Sequence, residues 1–131
     1  MKSSRIYAIL LIAIVMAGVL HAKKNNISGE EENIDKMRTG LSEIAKLVPE
    51  DRPVALNVLS PNVEIYLWCR YVLAPRYCPP VTQSHSDTVL TVSPQFTSDS
   101  ALQNAIAGRK ILWQNKDELY SYYLTCTNHK L

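Results

Sequence analysis

The hydrophobic pattern after residue 27 predicts two helices with different degrees of burial. Ser28 and Glu31 form a capping box, so a helix is expected to begin there. Apolar residues then recur every three or four positions before Pro49 and predict one buried stripe, made of Ile34, Met37, Leu41, Ile44 and Val48. A second helix is expected from Ser60-Pro61 to Leu73. Its apolar residues cover most of its circumference, which favours extensive burial.

Short runs rich in branched residues predict the strands. Val54–Leu59 is apolar almost throughout, which is typical of a strand buried on both faces at the centre of a parallel sheet. Tyr77–Val81 contains two prolines without amide donors, so a strand there is confined to an edge. Asp87–Val92 predicts a further strand. Ile111–Trp113 and Leu119–Cys126 flank a polar turn, which predicts a terminal antiparallel hairpin.

The order of these elements predicts the fold class. Ser98 caps a short expected helix from Ala101 to Ala107, and Gly108 follows it. Strands therefore alternate with helices, which is typical of layered α/β proteins. We expect a small α/β domain with a mostly parallel sheet of four or five strands and a C-terminal antiparallel hairpin, preceded by an N-terminal hydrophobic helix.

The N-terminal segment has the pattern of an export signal. Lys2 and Arg5 precede an uncharged run from Ile6 to Leu20. This run is shorter than the roughly 20 residues that span a bilayer, which favours a cleaved signal, whereas the poor cleavage site after Ala22 favours an anchor. We expect residues 1–22 to be a signal anchor or signal peptide, residues 23–29 a polar tether, and residues 30–128 an extracytoplasmic domain.

Composition excludes several classes of function. The 131 residues are 47% hydrophobic and 20% charged, as in a single globular domain, and a net charge of +2 gives no basic surface for nucleic acid. Four glycines form no phosphate-binding loop. The three histidines and three cysteines lack the spacing of metal ligands, so neither a metal nor a cofactor is expected.

One segment carries a resemblance to a known group of domains. The string Tyr66–Arg76, whose distinctive part is Arg70–Arg76, precedes Asp87–Leu90. This pattern resembles small extracytoplasmic α/β domains of bacterial membrane proteins, some of which are similar to the soluble tails of polytopic glycosyltransferases. The resemblance implies a domain held at the outer face of a membrane beside an envelope-building membrane protein. It implies no reaction, because the chain lacks the many membrane spans of such a transferase.

Arg70 and Arg76 lie at the end of the second helix and just beyond it. Their charges suit the helix carbonyls and nearby acidic groups, which is the structural interpretation. Alternatively, the two guanidinium groups form a clamp for a carboxylate or phosphate, since guanidinium offers paired donors. The sequence leaves both interpretations open.

The cysteines and one histidine provide the remaining candidate chemistry. An oxidising compartment favours a disulfide between Cys69 and Cys78, whereas burial of all three cysteines, including Cys126, is the alternative. His85 and Asp87 supply a base and an orienting group. The nucleophile is a neighbouring serine, Ser84 or Ser86, in a small hydrolase, or Cys69 or Cys126 in a thiol enzyme. The alternative is a polar loop whose side chains bond their own backbone.

Tyrosines of the last predicted strand bear on how the domain binds. Tyr120 and Tyr122 share one face of that strand and either form a partner surface or are covered by helices. The overall prediction is a non-catalytic binding or interaction module of the cell envelope, anchored in the membrane or secreted if the signal is cleaved. The alternatives are the small enzyme and a module that binds an anionic ligand through Arg70 and Arg76.

Overall fold

A computed structural model describes the backbone of residues 2–127 and the side chains of residues 7, 9–23, 29 and 31–127. Internal contacts divide the chain into two units, Met1–Asp35 and Lys36–Leu131. The first helix, α1, is Lys2–Gly40.

The first unit is helical throughout its described residues. Its large apolar side chains between Ile9 and Leu20 are exposed. No helix of residues 2–127 is both long and apolar enough to cross a membrane. Residues 23–29, expected to form a tether, are helical, and no helix begins at Ser28, because a helix that starts upstream already pairs the amides a capping box would satisfy.

The second unit is a mixed α/β domain with one four-stranded sheet. Seven helices and strands follow α1 in chain order: α2 (Ile44–Leu47), β1 (Ala55–Val58), α3 (Val63–Leu73), β2 (Thr88–Pro94), α4 (Asp99–Ile106), β3 (Arg109–Lys116) and β4 (Tyr120–Thr127). A 3-10 turn at Val81–Gln83 lies between α3 and β2. The strand order is β1-β2-β4-β3. Only β1 and β2 pair in parallel within this sheet, while β2 with β4 and β3 with β4 pair antiparallel. The expected mostly parallel sheet is therefore wrong, and the C-terminal hairpin is confirmed.

The hairpin explains why the sheet is mostly antiparallel. The turn between β3 and β4 is fixed by Asp117, whose Oδ1 accepts the amides of Leu119 and Tyr120 at 2.7 Å each. Strand β4 carries large core side chains and lies between β2 and β3, whereas β3 is polar and mostly exposed at the edge. Tyr122 is fully buried and its hydroxyl donates to Asp117 Oδ2 at 2.7 Å. The tyrosine face of β4 is therefore covered.

Strand β1 lies at an edge of the sheet, which corrects the expectation of a central strand. Its outer side is covered by the segment that follows α3, where Val54 N donates to Tyr77 O at 3.1 Å and Leu56 N donates to Pro79 O at 2.8 Å. Pro79 contributes only its carbonyl oxygen to this pairing, so the lack of an amide proton in proline does not weaken it. The expected edge strand is present as a single bridge between Leu56 and Pro80.

The predicted helical stripe forms one wall of the core. Four of its five predicted members, Met37, Leu41, Ile44 and Val48, are buried and pack with residues of α3, β2 and β4. The fifth, Ile34, is partly exposed and belongs to the first unit. The helix is interrupted at Gly40, where an added Cβ would lie 2.7 Å from Tyr122 Cε2. Glycine allows this close approach of the end of α1 to β4. The single helix expected up to Pro49 is divided into the end of α1 and the short α2.

The expected helix after β2 is also present. Ser98 Oγ accepts the amide of Ala101 at 3.4 Å, and α4 contacts both β2 and β3. Gly108 follows with a φ of 71°, a left-handed conformation that glycine adopts without strain. Both predicted ends of this helix therefore hold to within two residues.

Candidate functional site

Helix α3 has apolar residues on two opposite faces. Asn62 starts the helix, because its Oδ1 accepts the amide of Glu64 at 2.9 Å, and Ser60 Oγ accepts the amide of Asn62 at 3.1 Å. The N-cap is therefore Asn62 rather than the expected Ser60. The inner stripe, buried in the core, consists of Ile65, Cys69 and Leu73. The outer stripe consists of Val63, Leu67 and Tyr71.

The outer stripe is exposed, which corrects the expectation that α3 is buried on most sides. The exposed fractions are 66% for Val63, 52% for Leu67 and 64% for Tyr71. Residues four apart lie on one helix face, so these three form a continuous apolar stripe about 12 Å long. Exposed apolar surface of this kind is typical of interaction sites.

A groove adjoins the C-terminal end of the outer stripe. We call it the arginine groove; its volume is about 390 Å³ and its lining residues are Leu67, Arg70, Tyr71, Ala74, Pro75, Arg76 and Tyr77. The two arginines singled out from the sequence therefore lie in the same groove. Tyr77, which the sequence analysis did not select, is 67% exposed and adds a second aromatic ring.

Arg76 is a buried cation without a carboxylate partner among the described side chains. It is only 7% exposed; its Nη2 donates to Val48 O at 2.6 Å and its Nε donates to Pro49 O at 3.4 Å. It forms no ion pair with any side chain that the structure describes. The two carbonyls neutralise no charge, so the full positive charge of Arg76 remains at the wall of the groove.

Arg70 is exposed and also lacks an acidic partner among the described side chains. Its Cζ lies 5.9 Å from the centroid of the Tyr66 ring, within the range of a cation–π interaction. The charges of both arginines reach Cys78: burial raises the pKa of this thiol, and Arg76 and Arg70 oppose part of that rise. The groove is therefore apolar and aromatic with two uncompensated positive charges.

The second group of sequence candidates lies in a different cavity. His85 and Asp87 line a space of about 320 Å³ with Arg52, Pro53, Ser86 and Thr88, and Cys69 is not among the lining residues. Ser86 Oγ lies 2.9 Å from Pro53 O and accepts the amide of Thr88 at 3.3 Å. Asp87 Oδ1 accepts the hydroxyl of Thr127 at 3.0 Å. These bonds tie the loop to the sheet and do not align His85 with a nucleophile.

The three cysteines are present as thiols. Cys69 and Cys78 belong to the same buried cluster, and Cys69 Sγ donates to Met37 Sδ at 3.6 Å. Burial, with a smaller contribution from Cys78, raises the pKa of Cys69 to about 12, so its thiol stays protonated at neutral pH and is a poor nucleophile. A disulfide between Cys69 and Cys78 stays a prediction.

The outer stripe and the arginine groove together combine exposed apolar and aromatic side chains with two positive charges. No group of three or more possible metal ligands occurs in the described part of the chain. The signal that could have identified this site was present in the sequence: Val63, Leu67 and Tyr71 follow a four-residue spacing opposite the inner stripe.

Comparisons of the chain with protein-family models, curated proteins and solved structures found no match.

Proposed function

We propose that this chain is a non-catalytic binding domain that is exported to the cell envelope and binds a partner protein. The observation that carries the proposal is the exposed outer stripe of α3, which continues into the arginine groove. Leaving three large apolar side chains of one helix face in water costs free energy that binding recovers. A surface of this shape and composition suits a protein better than a small substrate.

The proposed location is supported by the N-terminal sequence. Lys2 and Arg5 precede the apolar run up to Leu20, which is the pattern of an export signal. The apolar side chains of that run are exposed in the first unit, so a lipid or protein environment would stabilise them. The partner is accordingly placed at the extracytoplasmic face of the membrane, where an envelope membrane protein would present its outer segments.

The proposal is tested by photo-crosslinking in the native host. The full-length protein carries benzoylphenylalanine in place of Leu67, and a matched variant carries it in place of Phe96, which is 83% exposed and does not line the groove. We expect discrete protein adducts from position 67, recovered in the membrane fraction, and none of the same adducts from position 96. The proposal is wrong if position 67 gives no protein adduct or if both positions give the same adducts.

A further variant separates binding from the enzymatic alternative. His85→Ala removes the candidate base in the other cavity and leaves the outer stripe untouched. The adducts from position 67 are expected to keep their masses and yields in this variant. Loss of the adducts in a folded His85→Ala protein would contradict a binding surface confined to α3 and its groove.

A further inference from the structure

The arginine groove contains a charge imbalance that the fold itself does not resolve. Arg76 is buried, yet its two hydrogen bonds go to neutral backbone carbonyls. Arg70 contacts the ring of Tyr66 and no carboxylate among the side chains that the structure describes. Buried cations are ordinarily paired with anions, because an unpaired charge in a poorly hydrated site is costly. The missing anion is therefore expected from outside the chain.

The surroundings of the two arginines define the rest of the ligand. Leu67, Tyr71 and Tyr77 are each more than half exposed, so they offer apolar and aromatic surface beside the charges. A free phosphate or small carboxylate would occupy the groove and leave the outer stripe uncovered. A peptide segment would occupy the groove and also cover the outer stripe, since α3 is 11 residues and about 16 Å long.

We infer that the arginine groove binds an acidic segment of the partner protein, with a carboxylate between Arg70 and Arg76 and neighbouring apolar side chains on Leu67 and Tyr71. This inference rests on the proposed function and specifies the partner by its chemistry. Arg70 is the adjustable group, because it is exposed, whereas Arg76 is held in place by the carbonyls of Val48 and Pro49.

The inference is tested by reversing one charge in the full-length protein that carries the photo-reactive residue at position 67. Arg70→Glu is expected to lower the adduct yield about tenfold, since an attraction becomes a repulsion, while Arg70→Lys keeps it within about threefold. Arg52→Glu is the matched control, because Arg52 is also exposed but lines the other cavity. Its adduct yield is expected to stay unchanged.

The crosslinked partner peptide is then sequenced by mass spectrometry. We expect Asp or Glu within about five residues of the attachment point, the reach of a short segment across the groove. An adduct that persists in Arg70→Glu, a partner peptide without acidic residues, or attachment to lipid or to a second copy of α3 overturns the inference. These results differ from the absence of any protein adduct, which overturns the proposed function as well.

Discussion

The two faces of α3 are similar in composition and opposite in environment. The inner stripe, Ile65, Cys69 and Leu73, is at most 5% exposed and belongs to the core cluster with Met37. The outer stripe, which begins at Val63, is more than half exposed and belongs to no buried cluster among the described residues. Of the nine apolar side chains of α3, three therefore lie in the core, three are exposed and three are partly buried against the core.

This difference shows which apolar groups the fold requires. Burial contributes about 25 cal/mol per Å² of apolar surface, and the inner stripe makes that contribution when the chain folds. The outer stripe makes little of that contribution on folding, because it stays exposed. Among the apolar side chains of α3, the exposed fraction rather than the residue type separates a group that stabilises the fold from one that does not.

The largest expected effect is the loss of folding stability when a side chain of the inner stripe, rather than of the outer stripe, is shortened. Ile65→Ala is expected to destabilise the protein by about 2–5 kcal/mol, because it removes packed atoms and leaves a cavity. Leu67→Ala is expected to change the free energy of unfolding by less than about 1 kcal/mol, because that side chain is already half exposed. Urea unfolding followed by circular dichroism measures both values.

The proposed difference between the two faces is wrong if the two substitutions lower the free energy of unfolding by the same amount. A large loss in Leu67→Ala would mean that the outer stripe packs within the folded chain. Val63→Ala provides a second test on the outer face, since Val63 is 66% exposed and should behave like Leu67.

A smaller effect is expected from the two arginines of the groove. Arg76→Ala is expected to cost about 1–3 kcal/mol, because it leaves the carbonyls of Val48 and Pro49 without their buried donors. Arg70→Ala is expected to stay within about 0.5 kcal/mol, as for most exposed positions. Thermal unfolding of the two variants side by side measures the difference, and equal losses would contradict the assignment of Arg76 alone to the fold.

Much of the fold was predictable because local chemistry determines it. The three- and four-residue spacings of Met37, Leu41, Ile44 and Val48 identified a buried stripe, and Ser98 and Gly108 marked the ends of α4. Each of these signals acts within one or two turns of chain. Such contacts need no knowledge of distant partners, which is why sequence alone was sufficient.

The strand order and the exposure of the outer stripe were not predictable, because both depend on contacts between distant parts of the chain. The insertion of β4 between β2 and β3 depends on pairing across the sheet, as does the edge position of β1. A helix that is apolar on most sides has the same sequence pattern whether it is buried or presents a binding face. Arg70 and Arg76 were singled out from the sequence, but only packing shows that they share a groove and that Arg76 is buried.

The prediction with the smallest effect on folding compares thiols on the two faces of α3. Leu67→Cys places a thiol two residues from Cys69, on the exposed side, and should change the unfolding free energy by under about 1 kcal/mol. Burial raises the pKa of Cys69 from 9.0 to about 12, which lowers its thiolate fraction at pH 8 about a thousandfold. The protonated Cys69 thiol makes its full contribution to folding stability below pH 9. This contribution is lost as the pH rises toward 12, because the thiol of the unfolded chain ionises at a lower pH than the buried thiol of the folded chain. Timed alkylation at pH 8, quantified separately at the two thiols by mass spectrometry, should label position 67 rapidly and Cys69 only on unfolding. Equal labelling of the two thiols in folded protein would show that α3 does not separate a closed face from an open one.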